Sequence, residues 1–200
     1  QTLQLSPAER FSVAGQAHFL LGDYAEARRK LEAALRQRPN LASDLYWLGR
    51  VHASAGMPAL ATARFEDAAW NGLETADLHY HWALALKASN EILGKISQHP
   101  PEEDAKETPK PGTFALGGLV VGPLPARPGW VVVSPPNSAI YHAHRAVALA
   151  PQRGDALLLC GQLWAAANRH EQAAAAFAKA APLLQKDELA ACHEGWSASL

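Results

Sequence analysis

Small and large apolar residues recur along this chain at fixed places, with a period of 34 residues. Gly15 returns as Gly49, His18 as His52, Gly22 as Gly56, Ala27 as Ala61, Leu31 as Phe65 and Ala34 as Ala68. Leu48-Gly49 returns once more as Trp82-Ala83. The C-terminal part repeats in the same way: Ala139 as Ala173, Ala143 as Phe177, Ala146 as Ala180 and Gly161 as Gly195. A fixed period of this length marks stacked supersecondary units, each burying its apolar face against the next. The small residues predict close helix crossings, with Gly15, Gly49, Ala83 and Gly161 in a first helix and Ala27, Ala61, Ala139 and Ala173 in a second. Phe11, Leu45, Leu48, Phe65, Trp82, Leu157 and Phe177 are the large residues that fill the space between.

The helix ends follow from local chemistry. Ser6-Pro7-Ala8-Glu9 offers a capping hydroxyl, a proline at the first helical position and a glutamate that reaches back. Gly22 and Gly56 supply turns whose left-handed backbone is cheap only for glycine. Pro39 and Pro151 punctuate second helices, and Asn40, Thr75, Asn137 and Asp187 are expected caps. The units then run over 8–41, 42–75, 76–89 plus 138–153, and 154–187, with a further helix beginning in 188–200.

The third unit is split. Ala83 and Gly161 are 78 residues apart, so residues 90–137 are an insertion. Pro100 to Gly112 is acidic, rich in proline and poor in large apolar residues, which reads as a flexible linker. Thr113–Val121 and Gly129–Ser134 are rich in apolar residues and predict a β-hairpin with a long turn through Pro123–Pro128.

Within each unit the spacing resembles the tetratricopeptide repeat (TPR), with its W-x2-L-G-x2-Y, A-x3-F and closing proline. Gly22-Asp23-Tyr24-Ala25-Glu26-Ala27 is similar to the turn and second-helix start of that family. The resemblance covers 8–88 and 138–200. It departs at His18 and His52, where the family has a large aromatic, and at Leu73 and Gln185, where it has the closing proline. The resemblance implies an all-α solenoid of about four helical hairpins, the third interrupted by the Pro/Gly-rich insertion.

It also implies a concave face, lined by first helices, that holds a peptide or a partner protein. The family's concave positions fall on Ser12, Gln16 and Phe19, then Ser43, Tyr46, Arg50 and Ser54. In the last two units they fall on Asp77, Tyr80, Leu84 and Lys87, and on Asp155, Leu158, Gln162 and Ala165. The expected partner-binding set is Tyr46, Arg50, Tyr80, Lys87, Gln16 and Gln162. Tyrosine and arginine combine contact area with directed polar groups and so make good anchors. The lysine and asparagine set with which some TPR co-chaperones clamp a terminal carboxylate is absent, which argues against a heat-shock-protein tail. The rival expectation is a structural or assembly subunit that uses its convex face, its ends or the inserted hairpin.

Composition changes this picture little. Net charge is −1 with both signs interspersed, so no basic stripe invites nucleic acid. No apolar run approaches the roughly 18 residues that span a bilayer. The chain opens on Gln1 and its only methionine is Met57, which fits either trimming or removal of a leader and leaves the compartment open. Cys160 and Cys192 are too few for a disulfide framework and match no metal spacing. His79-Tyr80-His81 and His142-Ala143-His144 are tempting metal pairs, but residues two apart on a helix point away from each other. No nucleophile elbow, phosphate loop or dinucleotide fingerprint is present. No catalytic residue, metal or cofactor is therefore expected.

Overall fold

The structure, a computed structural model, describes residues 5–96, 114–116, 119–121 and 138–197 of the 200-residue chain. Helices α1 (Pro7–Leu20), α2 (Tyr24–Gln37), α3 (Ala42–Ser54), α4 (Pro58–Trp70) and α5 (Ala76–Ile96) come first. Two short strands follow, β1 (Phe114–Leu116) and β2 (Leu119–Val121). Then come α6 (Ala139–Leu149), α7 (Gly154–Ala166), α8 (His170–Ala180), a 3₁₀ turn (Ala181–Leu183) and α9 (Lys186–Ser197).

Successive helices pair as hairpins: α1 with α2, α3 with α4, α5 with α6 and α7 with α8. Each hairpin then packs on the next through α2–α3, α4–α5 and α6–α7 contacts. The core is accordingly a series of clusters along the stack. Leu31, Leu48 and Val51 bury one junction; Leu45, Phe65, Leu78 and Trp82 the next; Ala83, Ala143, Leu159 and Cys160 a third; and Leu157, Phe177 and Cys192 the last.

The close crossings are real. A Cβ added at Gly15 would lie 2.6 Å from Leu31, at Gly49 2.6 Å from Phe65, and at Gly161 2.5 Å from Phe177. Each glycine thus receives the large side chain of the second helix, so the alternation of small and large residues is one shape read from both sides.

Ser6 and Glu9 form the expected capping box, and the Thr75 hydroxyl accepts from the Leu78 amide. Two other caps shift by a residue. Leu41, not Asn40, caps α3 without a side-chain bond, and the Ser138 hydroxyl accepts from the Tyr141 amide at α6. Asn137 lies outside the described residues, and Asp187 falls inside α9 rather than ahead of it.

Gly22 (φ +80°) and Gly56 (φ +72°) make the hairpin turns, and Asn168 (φ 57°) takes the same place between α7 and α8. In the third unit this place is Asn90, which stays helical: α5 runs on to Ile96 instead of ending near Ser89. Phe114–Leu116 pairs antiparallel with Leu119–Val121, Ala115 opposite Val120. The stretch expected to be one strand therefore contains both, with Gly117 and Gly118 between them in sequence, a pair suited to a two-residue turn. Gly129–Ser134 and the linker Pro100–Gly112 lie outside the described residues.

Candidate functional site

Helices α1, α3, α5 and α7 stand side by side, and polar and aromatic side chains link each to the next. Between α1 and α3, the Ser12 hydroxyl donates to Asp44 Oδ1 and accepts from Gln16 Nε2 at 3.2 Å. Asp44 is buried, and desolvation raises its carboxyl pKa against the lowering effect of the Ser12 bond. Its Oδ2 has no partner within the described residues. Further along, the Phe19 and Trp47 rings meet edge-on at 5.5 Å. The Arg50 guanidinium lies over both, 4.6 Å from the Phe19 centroid and 4.8 Å from that of Trp47.

Between α3 and α5, the Tyr46 hydroxyl lies 3.3 Å from His81 Nδ1. The same nitrogen lies 2.7 Å from the Asp77 carbonyl. A carbonyl only accepts, so Nδ1 carries the proton and the tyrosine oxygen is the weaker second acceptor. Burial lowers the His81 pKa, which favours this neutral ring. Between α5 and α7, Arg153 makes a two-pronged contact with Asp155 (2.8 and 3.1 Å) and a third bond to Asp77. Its guanidinium lies 4.4 Å over the Tyr80 ring. Lys87 Nζ donates to Gln162 Oε1 at 3.1 Å.

The expected residues therefore lie on first helices and follow one another along them, Tyr46 touching Arg50 on one side and His81 on the other. Arg50 belongs to the α1–α3 end, whereas Lys87 and Gln162 belong to the α5–α7 end. Tyr46 and Tyr80 each touch His81, at ring separations of 5.9 and 5.3 Å, so the histidine mediates between them. Tyr46 departs most from expectation. It is 9% exposed and packs against Phe65 of α4, so its ring serves the core and offers a partner little area. The reason is register: Tyr46 faces inward while Trp47, the next residue, takes the outer position. Trp47, His81 and Arg153 are the face residues that sequence reasoning missed. Trp47 and His81 are 34 residues apart, a signal that was there to find. Arg153 lies in the turn before α7, outside the helical repeat positions, and nothing in the pattern points to it.

The histidine pairs part as helical geometry requires. His81 joins the face, while His79 turns inward to His142, their Nδ1 atoms 2.8 Å apart. His79 Nε2 donates to Glu74, which also accepts from Arg145. His79 Nδ1 must then accept from His142 Nδ1–H. The two nitrogens share a proton and leave no room for an ion. Among the described residues no group of three or more His, Cys, Asp or Glu could hold a metal, and no helix is long and apolar enough to cross a membrane.

Residues 8–41 match the tetratricopeptide-repeat family model. No curated protein matches the chain in sequence. Among solved structures, it is similar to the MamA protein (17% identity, TM-score 0.64, covering 96% of this chain and 80% of that one). A thermophilic TPR protein of Thermus thermophilus matches at 17% identity and TM-score 0.59, with 95% and 81% coverage. The APC/C hetero-tetramer Cut9–Hcn1 matches at 11% identity and TM-score 0.64, covering 98% of this chain and 30% of that one. At these identities the likeness is one of fold.

Proposed function

We propose, from the premise that this chain is a tetratricopeptide-repeat protein, that it is a protein-interaction scaffold holding a peptide or partner segment on the face of α1, α3, α5 and α7. The observation that carries this is the guanidinium of Arg50, set on aromatic rings and answered by no carboxylate among the described residues. Tyr80, Lys87 and Gln162, all partly exposed, extend the surface across α5 and α7. Gln16 extends it across α1. The reading assigns no catalytic step to the chain.

A second reading has its own support. Leu20, Leu21 and Trp70 are 73%, 82% and 80% exposed, the first two at the α1–α2 turn and the third at the end of α4. Such side chains suit an assembly subunit that meets partners through its hairpin tips or second helices. Cut9–Hcn1, by its description, is a hetero-tetramer, so the fold serves a complex there.

Co-purification from the native cell with two variants separates the readings. Arg50→Ala with Tyr80→Ala removes the face anchors, and Leu20→Ser with Trp70→Ser removes the outer ones. Loss of partner with the first pair and retention with the second supports the face. The reverse result ends that reading. Tyr46→Ala is unsuited to this purpose, because it empties core volume beside Phe65.

A further inference from the structure

We infer that Arg50 seats the carboxylate of an aspartate or glutamate side chain from an extended partner segment. This rests on the face being the binding surface.

Two arginines on this face stand in opposite electrostatic positions. Arg153 meets Asp77 and Asp155 and is neutralised within the fold. Arg50 meets Phe19, Trp47 and Tyr46, with no acid in reach among the described residues. Its Nε is buried with no hydrogen-bond partner in those residues. A guanidinium stays charged and carries five donors in one plane. Aromatic faces attract its charge, and the Tyr46 hydroxyl engages one edge of it, but Nε stays unmet among the described residues. A carboxylate attracts the charge and meets Nε, edge-on, with two acceptor oxygens. Of the acids on α3 and α5, Asp44 is buried against Ser12 and Asp77 is held by Arg153. Among the described residues no acid is therefore left to meet it.

Polar positions continue on both sides of Arg50, Gln16 toward α1 and His81 toward α5. A bound chain thus runs past the arginine in both directions, which favours a side-chain carboxylate over a chain terminus. The Phe19 and Trp47 rings beside it favour an apolar neighbour to that acid.

The test selects short random peptides displayed against the chain, then measures affinities of synthetic copies. The expected binders carry Asp or Glu at one fixed position beside an apolar residue. Replacing that acid by its amide weakens binding about tenfold or more, the usual scale for a hydrogen-bonded charge pair. Arg50→Gln should weaken it by the same factor, and selection against Arg50→Glu should return Lys or Arg at that position. If Arg50→Gln does not fold, the amide peptides on the native chain decide alone. Binders that shift the Trp47 and Tyr80 NMR signals yet need no acid overturn this inference and leave the face standing. So do binders that depend on a free C-terminus or a phosphoryl group. Failure to recover any binder, or binders that leave those signals unmoved, overturns both.

Discussion

At the scale of single residues, the repeat works by complementary volume. Gly49 and Phe65 occupy one space, as do Gly161 and Phe177. The third unit solves the same problem differently, with Ala83 and Ala143 at the equivalent positions and Trp82 stacked on His142 at 3.8 Å. Gly49→Ala should therefore cost about 1–3 kcal/mol, because its Cβ lands inside the contact radius of the Phe65 ring. A circular-dichroism melt reads this directly, and an unchanged midpoint contradicts the packing described. Cys160 is a second test at this scale. Burial pushes its thiol up to about 12, so the nucleophilic thiolate is scarce. It should resist alkylation at pH 8 in the native state and react promptly in denaturant. Rapid native labelling of Cys160 would mean that the α5–α7 junction opens readily.

At the scale of elements, the third hairpin is the unusual one, because α5 and α6 are joined through the insertion and still pack like their neighbours. Their contact holds the His79–His142 pair, faced by Glu74, Arg145 and the Trp82 ring. Burial, with His79 as a smaller cause, depresses His142 to about 3, far below the 6.5 of a free imidazole. The unfolded chain therefore binds a proton that the folded chain refuses between those values. Stability falls as pH drops through that window, by about 2 kcal/mol from this residue at pH 5. His142→Gln should be less stable at pH 7.5 but lose less on acidification. Equal pH slopes for the variant and the parent chain would contradict the assignment. Since packing rather than the connecting chain unites α5 and α6, replacing residues 100–136 with a short flexible linker should leave the helical melt within a few degrees. A collapse of the melt would assign the insertion a structural role.

At the scale of the whole molecule, the clusters of the described residues run from hairpin to hairpin, so stability there is close to a sum of neighbouring junctions. Charge is distributed unevenly along the face: Arg153 is neutralised near α7, whereas Arg50 near α1 meets no acid among the described residues. The paired substitution Asp77→Asn with Asp155→Asn, which frees Arg153 from both of its acids, should add a second acid-binding point and raise affinity for peptides with two acids. Affinity unchanged by that substitution would place the peptide away from α7.

The sequence by itself determined the helical hairpins, their period and their contacts of small against large. These depend on residue volume and backbone freedom at fixed spacings, and both are written in residue identity. It placed Gly22 and Gly56 in their turns and joined α5 to α6 across the insertion. Tertiary structure decided the rest. A tyrosine and a tryptophan side by side, Tyr46 and Trp47, are both amphipathic, and only the rotation of α3 against α4 and α5 says which is buried. The cross-helix pairing of His79 with His142 joins residues 63 apart, with no repeat relation to announce it. Whether an arginine meets an acid or an aromatic ring depends on the neighbouring helix. That is why Arg50 and Arg153, the same residue type on one face, make different contacts.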